Sequence, residues 1–438
     1  MSHSNQPGNG AVSAMLDWCF EHGAVAPDME IRNIDGVRGA YAVRDIAPGT
    51  PVITVPPCLF LHAPQIEASS LGERLKAAGA KINDQALLAV GLLELRRSGG
   101  FWQPYVQALP DSFDEITRFL RTESEWLTGS SVPHIMGRLF RLAMREFRQV
   151  RKAFRAPLPH AREWWWARTA AASRSFLLRV DGEARGGMVP LADMVNCDFP
   201  PNTAWNGNHS TAFELTAIRP IARDEQISAS YGPWANASTM AQSGFAIEDN
   251  PFDTVRVCFR FEPDHFVAQL NPASAATDGA HWFCFGRGYA HRDTATAFSF
   301  LRLNSMPSLS AALLAKSSGA LALVRIPPQD AASECAMLAR LAIACEERLS
   351  AFAQPLAVDE ALLRQPGLQP TQRFAVITRS GEKRILHELL EVVRQARAAL
   401  ELPPPARARA LAHLAMPDGP YADYFDELRR MEMRATAA

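Results

Sequence analysis

The chain has 438 residues, with 45 basic against 46 acidic side chains and a net charge of −1; 47% of it is hydrophobic and 21% charged. That length exceeds one ordinary core and points to two or three domains, and the charge balance excludes a general pull toward nucleic acid or membrane surfaces. Seven scattered cysteines without C-x-x-C, and 11 histidines without H-E-x-x-H, argue against a disulfide framework and a metal site.

Residues 1–12 read as a disordered polar tail, without the basic and apolar stretches of a secretory leader. With no apolar run of about 18 residues, the expectation is a cytoplasmic protein with no membrane partner. From Met29 to Leu61 the pattern is β: AYAV and PVITV are short apolar runs separated by RDIAPGT, whose Pro48-Gly49 is a turn signal. Gly36 and Gly39 precede the first run, where they supply positive φ or a close backbone approach.

From about Leu71 to Arg179 the spacing turns helical. NDQALLAVGLLELRRSG offers Asn83 or Asp84 as an N-cap, basic residues in the last turn and Gly99-Gly100 as a stop, and its near-continuous apolar body predicts burial. A second helix, about Val132 to Phe154, carries Arg138, Arg141, Arg145, Arg148 and Arg151 on roughly one face. Such a row is more often a solvated face than a binding surface.

Strand-like text returns at Gly187–Met194, Thr211–Ala217, Gln226–Tyr231 and Val255–Phe261. IRPIARD (218–224) echoes the turn around Val43 to Pro48, too briefly to be a repeat. CFGRGYAHRD (284–293) contains a G-x-G but leads into helical text and reads as a loop. After about residue 290 helices dominate: Leu338, Leu341, Cys345 and Leu349 form one stripe, and Leu386, Leu389, Val393 and Leu400 another. ELPPPARARA (401–410) reads as a stiff connector into a last helix. Strands, helical insertion, strands, then helices make an α+β layout rather than an alternating one. No G-x-G-x-x-G opens a helix after a strand, and neither a Walker A sequence nor a G-x-S-x-G elbow is present.

The pieces that stand out are GVRGAYAVRDIAPG (36–49), SRSF (173–176), PLADMVNCDFPPN (190–202) and EQISASYGPWANASTMAQSGF (225–245). In their order and spacing they resemble the SET-domain protein methyltransferases, in the branch of Rubisco large-subunit lysine methyltransferase. The flanks FWQPYVQALPDSF (101–113), ESEWLTGSS (123–131) and GEKRIL (381–386) agree, so the resemblance covers about residues 28 to 400. It implies an N-terminal tail and first helix over 1–27. A SET domain of short β-sheets with a pseudo-knot would occupy 28–255, with a helical insertion at about 71–179. An all-α substrate-binding domain would follow over 256–438.

It also implies a site that binds S-adenosylmethionine, with no metal. The G-R-G-hydrophobic motif is Val37-Arg38-Gly39-Ala40 here, with the first glycine displaced to Gly36. Arg174 matches a position near the cofactor carboxylate, where a guanidinium can donate two parallel hydrogen bonds; Phe176 matches one at the target pocket. Asn196 and Cys197 match the family's Asn-His pair at the cofactor. Tyr231 matches the tyrosine beside the transferring methyl, and Phe245 the aromatic that stacks on adenine. Ser243 stands where lysine-modifying relatives often carry tyrosine. Trp234, at the target side, and Ala235 replace a usual basic residue and serine, and Asn236 is expected to anchor the turn threading past the Asn196 loop. The implied function is protein N-methylation, on lysine, with a protein as partner. The departures at Val37, Cys197 and Trp234-Ala235 leave two alternatives open: a SET fold acting on histidine or a small-molecule nucleophile, and a catalytically silent binding module.

Overall fold

The computed structural model describes residues 9–34, 36–113, 119, 121–154, 159–260, 280–288, 291–306, 326–414 and 420–437. Helix Asn9–Glu21 already includes the end of the expected polar tail, because Val12, Met15, Trp18 and Cys19 are buried on one face; residues 1–8 lie outside the described residues.

In chain order the strands are β1 (Met29–Ile34), β2 (Val37–Ala42), β3 (Pro51–Val55), β4 (Leu61–His62), β5 (Ser175–Val180), β6 (Glu183–Met188), β7 (Asn196–Cys197), β8 (Thr203–Gly207), β9 (Phe213–Ala217), β10 (Gln226–Ala229), β11 (Thr254–Arg260) and β12 (Ala280–Gly286). They form small sheets ordered β1-β2-β10-β7, β3-β9-β8, β4-β6-β5 and β11-β12. The two echoing turns are neighbours: Ile46 and Ile221 exchange backbone hydrogen bonds of 2.8 and 3.0 Å.

The helical insertion ends at Arg174, where helix Ala161–Arg174 passes directly into β5, and not at 179. Asp181 and Gly182, both at positive φ, turn the chain into β6, which satisfies β5 from Ser175 to Val180. The strand expected over Gly187–Met194 stops at Met188, and Ala192–Met194 is a 3₁₀ turn. The expected buried helix is Asp84–Ser98, capped by Asn83 accepting from the Ala86 amide and ended at Gly99. Its residues Ala86–Leu93 are buried and join the first core with Trp164, Ile53 and Phe213.

A second core belongs to the C-terminal half and contains Phe285, Phe298, Leu341, Leu386 and Tyr424. This half is mainly helical but opens on the β11–β12 hairpin, so Cys284–Gly286, read as loop, is strand. The hairpin's alternating Val255, Val257 and Phe259 face the second core, the period-2 pattern of a half-buried sheet. The proline-rich connector is helical too: Pro403 is the N-cap of helix Pro404–His413, and proline at N1 loses no helical hydrogen bond. Among the described residues no helix is long and apolar enough to cross a membrane.

Helix Pro370–Leu400 joins the halves. Ala375 packs in a third cluster with Val132, Met136 and Met240 of the first half, whereas Ile385, Leu389 and Val393 lie in the second core. Between these stretches sits GEKRIL. The Glu382 carboxylate accepts from the Ser131 amide (2.9 Å) at the start of helix Val132–Val150, and Lys383 pairs with buried Asp359.

Candidate functional site

A cavity of about 530 Å³ opens between the sheet β1-β2-β10-β7 and the start of helix Pro370–Leu400, within the range of small-molecule sites. Arg38, Arg174, Asn196, Cys197, Tyr231 and Phe245 all line it, as do Phe374 and Ile377 from the C-terminal half.

Local structure explains how these side chains meet. β7 lies parallel to β10, with Asn196 opposite Ser228 and Cys197 opposite Ala229, while β10 pairs antiparallel with β2. The Asn196 side chain then donates to the Arg38 carbonyl (2.9 Å), tying β7 to the loop end of β2. Gly39 is glycine because of this crossing: a Cβ there would lie 2.5 Å from Gln226 Nε2 and 2.8 Å from Asn196 Nδ2. The displaced glycine has its own reason, since Gly36 has φ 83°, open to glycine at no steric cost. Helix Asn236–Ser243 stops at Gly244, whose left-handed φ of 78° lets its amide reach the Thr239 and Met240 carbonyls, and the next residue, Phe245, turns into the cavity.

Tyr231 leaves the end of β10 with its hydroxyl donating to the Val195 carbonyl (2.7 Å) and its amide donating to Cys197 Sγ (3.4 Å). Cys197 is therefore an acceptor for the backbone of the tyrosine. Burial pushes its thiol up to about 11, so it is neither thiolate nor nucleophile. Burial raises the Tyr231 hydroxyl as well, against the Arg174 guanidinium, and keeps it protonated.

Under the cavity lies a buried polar group that the sequence reading did not include. Asp193 accepts from the Tyr105 hydroxyl (2.7 Å) and stands 3.4 Å from Arg174, which also donates to the Asp193 carbonyl (3.0 Å). Leu191, fully buried at φ 72°, makes the turn that delivers Asp193; such a non-glycine conformation costs about 1–3 kcal/mol and persists only where packing enforces it. The signal for Asp193 was available: a carboxylate inside a run of otherwise apolar residues. Burial raises its carboxyl, opposed by Arg174, Tyr105 and Arg38. The Arg38 guanidinium is pushed down to about 10 by burial and by Arg174. Two guanidinium groups thus face one carboxylate, and Arg174 Nε and Asp193 Oδ1 are buried without a protein partner. The surplus cation and the orphaned donor suit a carboxylate, and the orphaned acceptor an amine, so the residues present fit the amino-acid head of the expected cofactor.

Other expected residues lie elsewhere. Ala40, in β2, is fully buried, and Gly39 is buried behind the cavity wall. Phe176 packs edge-on against Trp205 (5.3 Å) and Phe213 (4.9 Å), at the margin of the first core and off the cavity. Trp234 is 55% exposed, its indole donating to the Tyr231 carbonyl (3.1 Å), so it props the tyrosine from outside. Asn236 is a buried anchor of a different kind: its side-chain amide donates to the Ile247 carbonyl and accepts from the Ile247 amide, and its backbone and side-chain N–H groups donate to the Asp253 carboxylate, closing the 236–253 loop.

The SET domain family matches residues 37–232, and the Rubisco LSMT substrate-binding family matches residues 291–386. Curated relatives include the actin-histidine N-methyltransferases of Dasypus novemcinctus and Homo sapiens, each 25% identical over 265 residues, covering 56% of this chain and 44% and 43% of theirs. The match thus spans less than half the length of these relatives. Among solved structures, the SET domain of LSMT bound to lysine and AdoHcy superposes with a TM-score of 0.72 at 18% identity, over 96% of this chain and 99% of that one. Rubisco LSMT bound to AdoMet gives 0.71 at 19% identity, over 95% and 99%. At such identities the likeness is one of fold, and it extends over both halves. With the strand crossing at Asn196 and the helical half behind it, the chain carries a SET domain followed by a Rubisco LSMT-type substrate-binding domain, in the fold of Rubisco LSMT.

Proposed function

We propose that this protein is an S-adenosylmethionine-dependent protein N-methyltransferase whose target is a lysine side chain. The observation that carries the reading is the convergence of Tyr231, Arg174 and Asn196 on one cavity that both halves of the chain enclose. S-adenosylmethionine supplies an electrophilic methyl group on a sulfonium. Arg174 and Arg38 provide the anion-binding charge for an amino-acid head, Asn196 holds the loop end of β2 in register, and Phe245 offers an aromatic wall. Tyr231, fixed by Val195, presents its oxygen to the cavity, where weak C–H···O contacts can hold a polarised methyl. Displacement then depends on alignment, which can supply about 7–11 kcal/mol in well-oriented cases. The amine must enter uncharged, and a cavity edged by Arg38, Arg174 and Arg373 disfavours a second cation there.

A protein histidine is the second reading, favoured by the names of the curated relatives. Calorimetry with S-adenosylmethionine is expected to give micromolar binding, about −8 kcal/mol; no binding would sink both readings. Methyl-labelled cofactor incubated with source-cell lysate should then label protein, and hydrolysis should release methyllysine. The rate should climb steadily with pH through 7 to 9, because a lysine ammonium of reference pKa about 10.4 must lose its proton. Methylhistidine, with a rate that levels off above about pH 7.5, would replace lysine by histidine, whose reference value is about 6.5. Label confined to small molecules would overturn the protein substrate.

Gly39→Ala tests the crossing. Its Cβ must displace Asn196 and Gln226, so cofactor affinity should fall about tenfold, ~1.4 kcal/mol, although Gly39 lies outside the cavity lining. An unchanged dissociation constant by calorimetry would show that the position of Asn196 does not matter.

A further inference from the structure

The arginine row is real and unbalanced. On helix Val132–Val150, Arg138, Arg141, Arg145 and Arg148 are exposed. At about 3.6 residues per turn they fall, with His134, within about 80° of one another, along about 21 Å of helix. Among the described residues none of the four has a carboxylate at ion-pair distance. The helix carries a single acidic residue, Glu146, and it is turned inward onto buried Arg168 (2.8 Å). Several arginines elsewhere are paired: exposed Arg394 with Glu391, and half-buried Arg397 with Glu401, Arg429 with Asp426, and Arg32 with Glu30 and Asp224. Like charges three and four residues apart on one helix repel, and the helix dipole favours cations only in the last turn. Folding alone gives no reason for this arrangement.

The ridge continues onto the hairpin. His134 stacks on Trp282 (6.3 Å, 25°), and Arg256 lies 4.8 Å over the same indole, which is 42% exposed. Burial, and then the neighbouring Arg256, Arg138 and Arg141, hold the His134 imidazole below its usual range. Leu142, 37% exposed, sits about 40° beyond one edge of the row, whereas Phe140, 48% exposed, lies about 120° from its centre and against Trp165 (5.5 Å).

We propose that this ridge is a docking surface for an acidic helical segment of a partner protein, with carboxylates at three- and four-residue spacing. Arginine mixed with exposed aromatic and aliphatic side chains is the composition of protein interfaces. A single row one residue wide, on a chain of net charge −1, is a poor track for the phosphates of a nucleic acid. The opposite face of the helix packs through Met136 against Met240 and Ala241 of helix Asn236–Ser243, whose end walls the cavity. The partner would therefore be held outside the reaction site. The proposal stands whether or not the activity proposed above is correct.

The test uses the full chain and a fluorescein-labelled peptide of about 20 residues with Glu at i, i+3, i+4 and i+7 on an alanine-leucine background. Anisotropy should show binding that weakens between about 50 and 300 mM salt, as screening requires. In Arg138→Glu/Arg141→Glu/Arg145→Glu the dissociation constant should rise at least tenfold, with S-adenosylmethionine affinity and melting temperature unchanged or the latter raised. Equal peptide binding by wild type and variant would overturn the proposal, as would no binding at all. Tenfold tighter binding to a duplex RNA of about 20 base pairs or to anionic vesicles, lost in the same variant, would overturn the choice of a protein partner.

Discussion

Tyr231→Phe is expected to lower the methyl-transfer rate by about 100-fold while cofactor affinity changes less than about threefold. The hydroxyl donates to the Val195 carbonyl at 2.7 Å, which fixes the ring where Tyr231 lines the cavity. Losing that hydrogen bond costs the fold about 1 kcal/mol, too little to unfold the protein, and the ring keeps its edge-on contact with Phe245. Single-turnover rates with labelled cofactor, beside calorimetric affinities, separate the two effects. A variant within a factor of three of wild type would remove Tyr231 from the reaction. A large loss of affinity instead would make it a binding residue.

The second large effect is expected at Gly381. In an exposed helix interior, replacing glycine by alanine stabilises by about 1 kcal/mol. Here the sign should reverse. A Cβ at Gly381 would lie 2.0 Å from Asp253 Oδ2. That carboxylate cannot step aside freely, because it accepts from the Asn236 amide (3.0 Å), the Asn236 side chain (3.2 Å) and the Thr254 amide (3.2 Å), all at the base of the closed 236–253 loop. Displacing it strands buried donors at about 1–3 kcal/mol each, and a net loss of about 2–4 kcal/mol follows. Urea unfolding reads it as a lower midpoint. A midpoint equal to or above wild type would mean that helix propensity outweighs the clash, and that the loop has room the structure does not show.

The sequence carried the fold well where a motif coincided with a backbone requirement. Asn83 before an apolar run and Gly99 after it bracketed a buried helix, and the pieces around Arg38, Asn196 and Tyr231 arrived at one cavity. It carried less where pairing depended on distant partners. β7 and β8 are short, lack a strand-length pattern and exist because β10 and β9 satisfy them. Ser175–Val180 followed helical text without a breaker, and only β6 makes it a strand. For site residues the limit was orientation. Phe176 and Trp234 occupy expected positions in the motif, yet neither lines the cavity, because Phe213 and Trp205 draw the phenyl ring toward the core and the Tyr231 carbonyl holds the indole outside. Asp193 was visible but carried no motif. Its partner Tyr105 is 88 residues away, a distance no local pattern spans.

Helix Pro370–Leu400 gives the molecule an architecture in which module and machine do not coincide. Its first two turns supply Pro370, Thr371, Arg373, Phe374 and Ile377 to the cavity wall, and its last four turns fill the second core. The SET family match ends at residue 232, some way before any of these side chains. A fragment cut at that limit would keep the strand crossing and Tyr231 but would lack Phe245 and every wall residue from the helix, leaving one side of the cavity without a wall. The smallest piece of this chain that keeps the whole cavity wall is therefore larger than the stretch its SET family match spans, and the helical half is part of the site itself.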